Sequence, residues 1–98
     1  MVRRITWTKK AFTVFQKILE FYYQRNGTKT YSSRLNIEIK ELIYLLRKHP
    51  FLGRKTEIED IRVLVKGDYK IFYRVDKSDI VILLVWDCRQ NPESLKLS

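Results

Sequence analysis

The sequence predicts an α+β domain with the element order β-α-α-β-β-β, in which an antiparallel sheet carries a two-helix hairpin packed on one face. Two segments in the first half repeat apolar residues at helical spacing, whereas the second half alternates or runs continuously apolar, as strands do. The chain has 98 residues and contains neither a repeat nor a low-complexity linker. We therefore expect a single domain over residues 1–98.

A short strand and a long helix are predicted at the start of the chain. Residues 3–7 alternate, with Ile5 and Trp7 on one side, and Thr8 then offers a side chain that can cap a helix. The helix is expected to end at Gly27, because glycine readily adopts the left-handed conformation that closes a helix. Its apolar stripe consists of Ala11, Phe15, Ile18 and Tyr22, widened by Phe12 and Leu19.

A second helix is predicted to begin between Thr28 and Ser33, where several hydroxyl side chains could serve as its cap. Because the connection between the two helices is short, we expect them to form an antiparallel hairpin. Pro50 and Gly53 end the helical region. The apolar stripe of the second helix consists of Leu35, Ile39, Leu42 and Leu46.

The rest of the chain has the pattern of three strands. The first is expected from Thr56 onward, with an irregularity near residues 59–60, and a glycine turn at 67–68 joins it to the second. Residues 69–75 alternate between an apolar side and a basic side. Residues 80–86 are apolar at every position, which predicts a strand that is central in the sheet or covered on both faces.

Composition narrows the classes of partner and compartment. There are 20 Lys and Arg against 11 Asp and Glu, a net charge of +9, which attracts nucleic acid, anionic lipid or an acidic protein. The longest apolar run, residues 80–86, is too short to cross a bilayer, so we expect no membrane association and no export. The only cysteine, Cys88, cannot form an internal disulfide, which favours the cytoplasm and a structural role for this thiol.

The sheet face that the helices leave uncovered is the predicted site of function. The side chains expected there are Arg62, Lys70, Phe72 and Arg74, with Arg89 folding back over the same side. Several cations around an aromatic ring suit phosphates and bases. Spacing alone leaves open the alternative that Lys70 and Arg74 are ordinary outward residues, paired with acids at positions 57, 59 or 60.

Residues 61–75 read IRVLVKGDYKIFYRV, and residues 80–92 read IVILLVWDCRQNP. An Arg-containing strand thus leads through a glycine turn to a strand of the type Tyr, basic, apolar, apolar, Tyr, and a hydrophobic strand ending near an Arg follows. This arrangement resembles the C-terminal half of the RelE/ParE toxin superfamily. The first half resembles it too, with Trp7 before the helix pair and Pro50 and Gly53 after it.

The resemblance implies the toxin of a type II toxin-antitoxin pair, which a cognate antitoxin holds inactive in a hetero-oligomer. An acidic antitoxin segment that becomes ordered on binding would complement the basic toxin. Candidate antitoxin contacts are Phe12, Tyr23, Tyr31 and Tyr44.

The resemblance offers two mechanisms. Members like RelE cut mRNA on the ribosome, and we expect this activity first, as a metal-independent endoribonuclease without cofactors. Its catalytic residues would be Lys70, Arg62 and Arg89, and its nucleic-acid contacts Arg74, Phe72, Tyr69 and Tyr73. Members like ParE inhibit DNA gyrase and cut no nucleic acid, which is the alternative.

Several features leave the choice between these mechanisms open. The general base and acid are not assigned by the sequence, although Asp87, Glu57 or Glu59 could serve. The tail after Arg89 lacks the Tyr or His that nuclease members often carry, and Leu64 stands where a second Lys is expected. The sequence also shows no metal-ligand spacing, and its single histidine falls in a turn.

Overall fold

The structure, a computed structural model, describes residues 2–89, so the predictions about the tail beyond Arg89 lie outside the described residues. The chain forms five strands and two helices within this range. They are β1 (Arg4–Trp7), α1 (Lys9–Asn26), α2 (Thr30–Leu45), β2 (Arg54–Lys55), β3 (Ile61–Lys66), β4 (Tyr69–Val75) and β5 (Asp79–Asp87). The predicted α+β class and the order of the main elements are confirmed.

The strands form one sheet in the order β1-β5-β4-β3-β2. The pairs β2–β3, β3–β4 and β4–β5 are antiparallel, as expected, but β1 pairs with β5 in parallel, with Ile5 opposite Ile80. The predicted antiparallel sheet is therefore confirmed, except at this edge, where the pairing is parallel. Tight hairpins fix the direction of β5, whereas β1 reaches the sheet through the two helices and is free to lie parallel to it.

The strand expected from Thr56 begins only at Ile61, and a short strand that was not predicted, β2, precedes it. The Thr56 hydroxyl donates to the carbonyl of Ile61 at 2.9 Å and accepts from the amide of Ile58 at 3.2 Å. Asp60 has a φ of 68°, in the left-handed region. These local bonds and the left-handed residue form a turn that the β-branched residues alone do not reveal.

Both ends of α1 follow from local chemistry. The Thr8 hydroxyl accepts from the amide of Ala11 at 3.0 Å, and Gly27 closes the helix with a φ of 70°. The hydroxyl of Ser32 in α2 donates to the carbonyl of Leu19 in α1 at 2.7 Å, which ties the two helices together near their connection.

The core lies between the helical hairpin and one face of the sheet. Its largest fully buried side chains are Phe15, Ile39, Leu46, Ile71, Tyr73, Ile80, Ile82 and Val85. Strand β5 lies between β1 and β4 and is buried on both faces, since Val81 and Leu84 on its other side are also buried. The expected central position of the continuously apolar strand is confirmed.

A polar clamp fixes the turn between α2 and β2 against the sheet. The buried hydroxyl of Tyr73 accepts from the amide of Gly53 at 2.8 Å and donates to the carbonyl of Pro50 at 2.9 Å. Arg62 donates to the carbonyl of Gly53 at 2.7 Å, and its guanidinium lies over the ring of Phe51. The turn that contains Pro50 and Gly53 is therefore held against the sheet by hydrogen bonds between its backbone atoms and the side chains of Tyr73 and Arg62.

Gly53→Ala is expected to destabilise the protein by about 3 kcal/mol, at the upper end of the range for overpacking. A Cβ atom at this position would lie 2.7 Å from the Tyr73 ring and 2.8 Å from the carbonyl oxygen of Val63. Gly67→Ala is the matched control, because Gly67 has a φ of 58° but no atom near the added Cβ, so only about 1 kcal/mol of backbone strain is expected. Urea unfolding measures both, and equal losses would contradict the steric explanation.

Candidate functional site

Strand β4 divides its side chains between the two faces of the sheet. Tyr69, Ile71 and Tyr73 belong to the core under the helices. Because side chains alternate along a strand, Lys70, Phe72 and Arg74 lie on the other face, which we call the open face. The predicted positions of these three side chains are confirmed.

The open face is mainly apolar. Phe72 lies opposite Val63 and Leu84, and Lys70 lies opposite Val65 and Trp86. Phe72 and Leu84 are only 4% and 3% exposed. The indole nitrogen of Trp86 is buried and finds no acceptor within residues 2–89.

Arg62 and Arg89 do not lie on the open face, and the prediction of four cations there was wrong. Arg62 is directly opposite Tyr73, so it points to the helical side, where it contacts the clamped turn. Arg89 contacts the hydroxyl of Tyr69, also on the helical side. Neighbouring residues of a strand point to opposite faces, so a shift of one residue in register moves a side chain to the other face. Sequence spacing without the register could therefore not predict on which face Arg62 and Arg89 lie.

Of the four predicted cations, Lys70 and Arg74 remain on the open face, and they are far apart. Lys70 and Arg74 are separated by four residues of strand, about 13 Å. Arg74 forms two hydrogen bonds to Asp76, at 2.8 and 3.2 Å, and these bonds raise the pKa of Arg74 and lower that of Asp76. The acid that pairs with Arg74 is thus Asp76, not one in the segment 57–60.

A second polar cluster lies on the helical side, at the end of β5. The hydroxyl of Tyr22 donates to buried Asp87 at 2.6 Å, and the Arg89 guanidinium donates to Asp87 at 3.4 Å. Arg89 also donates to the hydroxyls of Tyr31, at 3.0 Å, and Tyr69. Its guanidinium lies 5.0 Å from the ring centre of Tyr22 and 5.3 Å from that of Tyr69.

The cluster changes the proton affinity of its members. Burial raises the pKa of Tyr22 above its ordinary value, and the hydrogen bond to Asp87 raises it further. Burial also raises the pKa of Tyr69, with the hydrogen bond to Tyr31 as the next cause. The hydrogen bond to Tyr31 is the main cause of the raised pKa of Arg89. The tyrosines therefore stay neutral and Arg89 stays charged, so none of the three is prepared to exchange a proton near neutral pH.

Beside this cluster lies a cavity of about 780 Å³. It is lined by Phe21, Tyr22, Arg25, Asn26, Tyr31 and Arg89. We refer to it as the α1-end pocket, because most of its lining comes from the last turns of α1.

The candidate antitoxin contacts occupy different environments. Phe12 and Tyr44 are 53% and 61% exposed, Tyr23 is half-buried, and Tyr31 belongs to the Arg89 cluster. Ile37, which lies outside the apolar stripe of α2, is exposed as well. Phe12, Ile37 and Tyr44 give the outer surface of the helical hairpin an apolar component.

Of the predicted nucleic-acid contacts, Tyr69 and Tyr73 are buried on the helical side, and Phe72 is buried on the open face. Tyr22 and Asp87 were missed as a pair, because the sequence places Tyr22 in an ordinary apolar stripe. An acid directly after a continuously apolar strand was the available signal for Asp87.

Within residues 2–89 no group of three or more metal-binding side chains occurs, and no helix is long and apolar enough to span a membrane.

The family model of the ParE toxin of type II toxin-antitoxin systems matches residues 5–92. The chain belongs to the ParE toxin family. The predicted membership of the RelE/ParE superfamily is therefore confirmed, and the protein is the toxin of a type II toxin-antitoxin system. No curated protein matches the sequence.

Two solved structures show the same fold as this ParE family member. One is from the chromosomal ParDE system of P. aeruginosa, with a TM-score of 0.75 and 23% identity over 86% of this chain and 94% of that chain. The other is from the RelBE2 toxin-antitoxin complex of Mycobacterium tuberculosis, with a TM-score of 0.66 and 20% identity over 87% and 96%. At these identities the likeness concerns the fold alone.

Tyr22→Phe is expected to destabilise this ParE family toxin by about 2 kcal/mol, because it removes a hydrogen bond to a buried carboxylate. Tyr23→Phe is the matched control, since Tyr23 is the next residue and is more exposed, and a change within about 0.5 kcal/mol is expected there. Thermal or urea unfolding compares the two variants. If both variants are equally stable, the Tyr22–Asp87 bond does not hold α1 to β5.

Proposed function

We propose that this toxin acts as a ParE-like inhibitor of DNA gyrase, by binding the enzyme, and that it cuts no mRNA. The observation that carries the proposal is the separation of the three candidate catalytic cations. Lys70 lies on the open face, whereas Arg62 and Arg89 lie on the helical side, near opposite ends of β4. We place this action in the cytoplasm, where gyrase acts.

Cleavage of RNA by its 2′-hydroxyl needs cations that converge on one phosphate, together with a base and an acid within hydrogen-bond reach. Arg62 lies opposite Tyr73, whereas Arg89 contacts Tyr69. Tyr69 and Tyr73 are four residues apart along β4, a distance of about 13 Å. Lys70 is on the opposite side of the sheet from both. One phosphate therefore cannot contact all three side chains in this arrangement.

Most of the candidate cations also have hydrogen-bond partners within the protein. Arg62 donates to the backbone of the clamped turn, Arg74 pairs with Asp76, and Arg89 pairs with Asp87 and two tyrosine hydroxyls. Moving any of them to a phosphate would break these bonds. Lys70 is the exception, and it is half-buried beside Trp86.

The open face has the character of a protein-binding surface. Ile61, Val63 and Val65 supply its apolar side chains from β3, and the half-buried ring of Trp86 adds an aromatic one. Aromatic and aliphatic anchors with a few polar groups are typical of protein interfaces, whereas phosphate-binding faces are rich in cations. This supports a large protein as the target.

The cognate antitoxin is the second partner that we propose, and we place its contact on the outer surface of the helical hairpin. Phe12, Ile37 and Tyr44 are exposed there, next to the cations Lys9 and Lys40. An acidic segment with apolar anchors complements both features. Tyr23 lies at the edge of the same surface, whereas Tyr31 is engaged by Arg89.

Purified toxin is expected to block DNA supercoiling by gyrase and to leave mRNA on translating ribosomes uncut. Mapping mRNA ends beside a supercoiling assay measures both activities in one preparation. Codon-phased cuts that disappear in Lys70→Ala would instead establish the ribosome-dependent nuclease, since Lys70 is the one candidate of the three that forms no ion pair or side-chain hydrogen bond within residues 2–89. Added antitoxin should restore supercoiling.

The double variant Phe12→Ser with Tyr44→Ser is expected to weaken antitoxin binding at least about tenfold, since exposed aromatic anchors carry much of the energy of an interface. Phe51→Ser is the matched control, because Phe51 is similarly exposed but lies in the turn before β2. Calorimetry with the purified antitoxin gives the affinities. An equal loss in the control would place the antitoxin elsewhere.

A further inference from the structure

The excess of positive over negative charge is confined to the first part of the chain. Residues 1–55 contain thirteen Lys and Arg against three Glu, whereas residues 56–98 contain seven against eight Asp and Glu. The first part forms β1, both helices and β2, so the excess belongs mainly to the helical side of the molecule. The field that attracts an anionic partner is therefore centred away from the open face.

One flank of α1 carries a row of these cations. Lys10 and Lys17 are seven residues apart, so they lie on the same side of the helix at a distance of about 10.5 Å along its axis. Arg25, rotated by about 80° around the axis from Lys17, adds a third cation in the last turn. All three are exposed, and none of the ion pairs formed within residues 2–89 uses a cation of α1 or α2. We call these three side chains the basic flank.

The basic flank is on a different side of α1 from the proposed antitoxin surface. Leu19 lies next to α2, since its carbonyl accepts from Ser32. Phe12 and Tyr23 share the side of Leu19 by helical periodicity, whereas Lys10 and Lys17 do not. The two surfaces can therefore be tested separately.

The flank leads directly to the α1-end pocket, in which Arg25 is a lining residue. The pocket also contains the exposed ring of Phe21, the half-buried ring of Tyr31 and the amide of Asn26. A row of cations that ends at aromatic rings and an amide is the combination used to bind a phosphate backbone and its terminal base.

We propose that the basic flank and the α1-end pocket form a binding site for single-stranded nucleic acid. Lys10, Lys17 and Arg25 contact successive parts of the phosphate backbone, and one base enters the pocket, where it stacks on Phe21 and meets the amide of Asn26. The site is distinct from the open face and does not depend on gyrase as the toxin's target.

Arg89 is suited to contact the base and not a phosphate. Its charge is balanced by Asp87 and Asp68, at 3.4 and 3.5 Å, so it adds little to the attraction of a phosphate. Its bonds within the described residues use Nε and Nη2, which leaves Nη1 to donate to an acceptor on a base edge. The bonds to Asp87 and the tyrosines fix the direction of this donor.

A single strand fits these features better than the other polyanions. A base of an intact duplex is stacked and paired and cannot enter a pocket, whereas an unpaired base can. An acidic protein segment would also be attracted by the basic flank, but a carboxylate does not stack on the exposed ring of Phe21, as a base does.

Fluorescence anisotropy with labelled 12-nucleotide single strands, one of DNA and one of RNA, tests the site in the absence of gyrase and ribosomes. Phe21→Ala is expected to weaken binding about tenfold and Phe21→Trp to preserve it, because stacking tolerates any aromatic ring. Lys17→Gln should reduce the slope of log affinity against log salt by about 0.7. Lys40→Gln on α2 is the matched control and should change the affinity by no more than about twofold, since Lys40 lies outside the site.

Tight binding of either strand with these variant effects supports the site, and the two strands show whether DNA or RNA is preferred. The proposal is overturned if Phe21→Ala or Lys17→Gln changes binding no more than Lys40→Gln does. It is also overturned if the matching duplex binds as tightly, or if polyglutamate of equal charge competes as well as the unlabelled strand. Circular dichroism verifies that each variant is folded, and supercoiling inhibition is measured separately, so failure of either proposal is distinguishable from failure of the other.

Discussion

The alternation of side chains along β4 is the constraint on which the rest of the structure depends. This strand is paired on both sides, and its register with β3 and β5 commits Tyr69, Ile71 and Tyr73 to the helical core. Every residue opposite one of these three must then share the core side, and every residue between them must lie on the open face. The distribution of cations follows from this register, because β3 and β5 place Arg62 and Arg89 relative to β4.

Two of the three core-side residues named in β4 are tyrosines, and the hydroxyl of each organises a polar cluster in an otherwise apolar layer. Tyr73 binds the backbone of the turn at one end, and Tyr69 meets Tyr31 and Arg89 at the other. A buried hydroxyl must find partners, and here the partners are the turn and an arginine that phosphate chemistry would otherwise use. The same contacts that stabilise this fold thus remove two cations from the set available for catalysis.

The sequence was sufficient for those features that depend on periodicity alone. The stripes of α1 and α2, the cap at Thr8, the closing Gly27 and the central position of β5 were predictable, because each depends on local pattern. The exception is Phe12, which was expected to widen the stripe of α1 but is exposed. The parallel pairing of β1, the turn at Thr56 and the position of Arg62 were not, because they depend on the register between distant segments or on a side chain that binds its own backbone. The resemblance predicted the family correctly, but it did not predict on which face of the sheet Arg62 lies.

The mechanism of a toxin on this fold depends on where its charge is placed more than on how much charge it carries. A net charge of +9 is compatible with a nuclease, yet the excess lies in the half of the chain that builds the helical side. The centre of the open face is apolar apart from Lys70 and the paired Arg74, and Arg54 and the paired Arg4 lie on its edge strands. A nuclease needs its cations and its proton-transferring groups at one phosphate, so charge spread over a helix surface attracts nucleic acid without cleaving it. The separation of an apolar sheet face from a basic helical face therefore favours a protein that recognises two chemically different partners at once over an enzyme with a single active site.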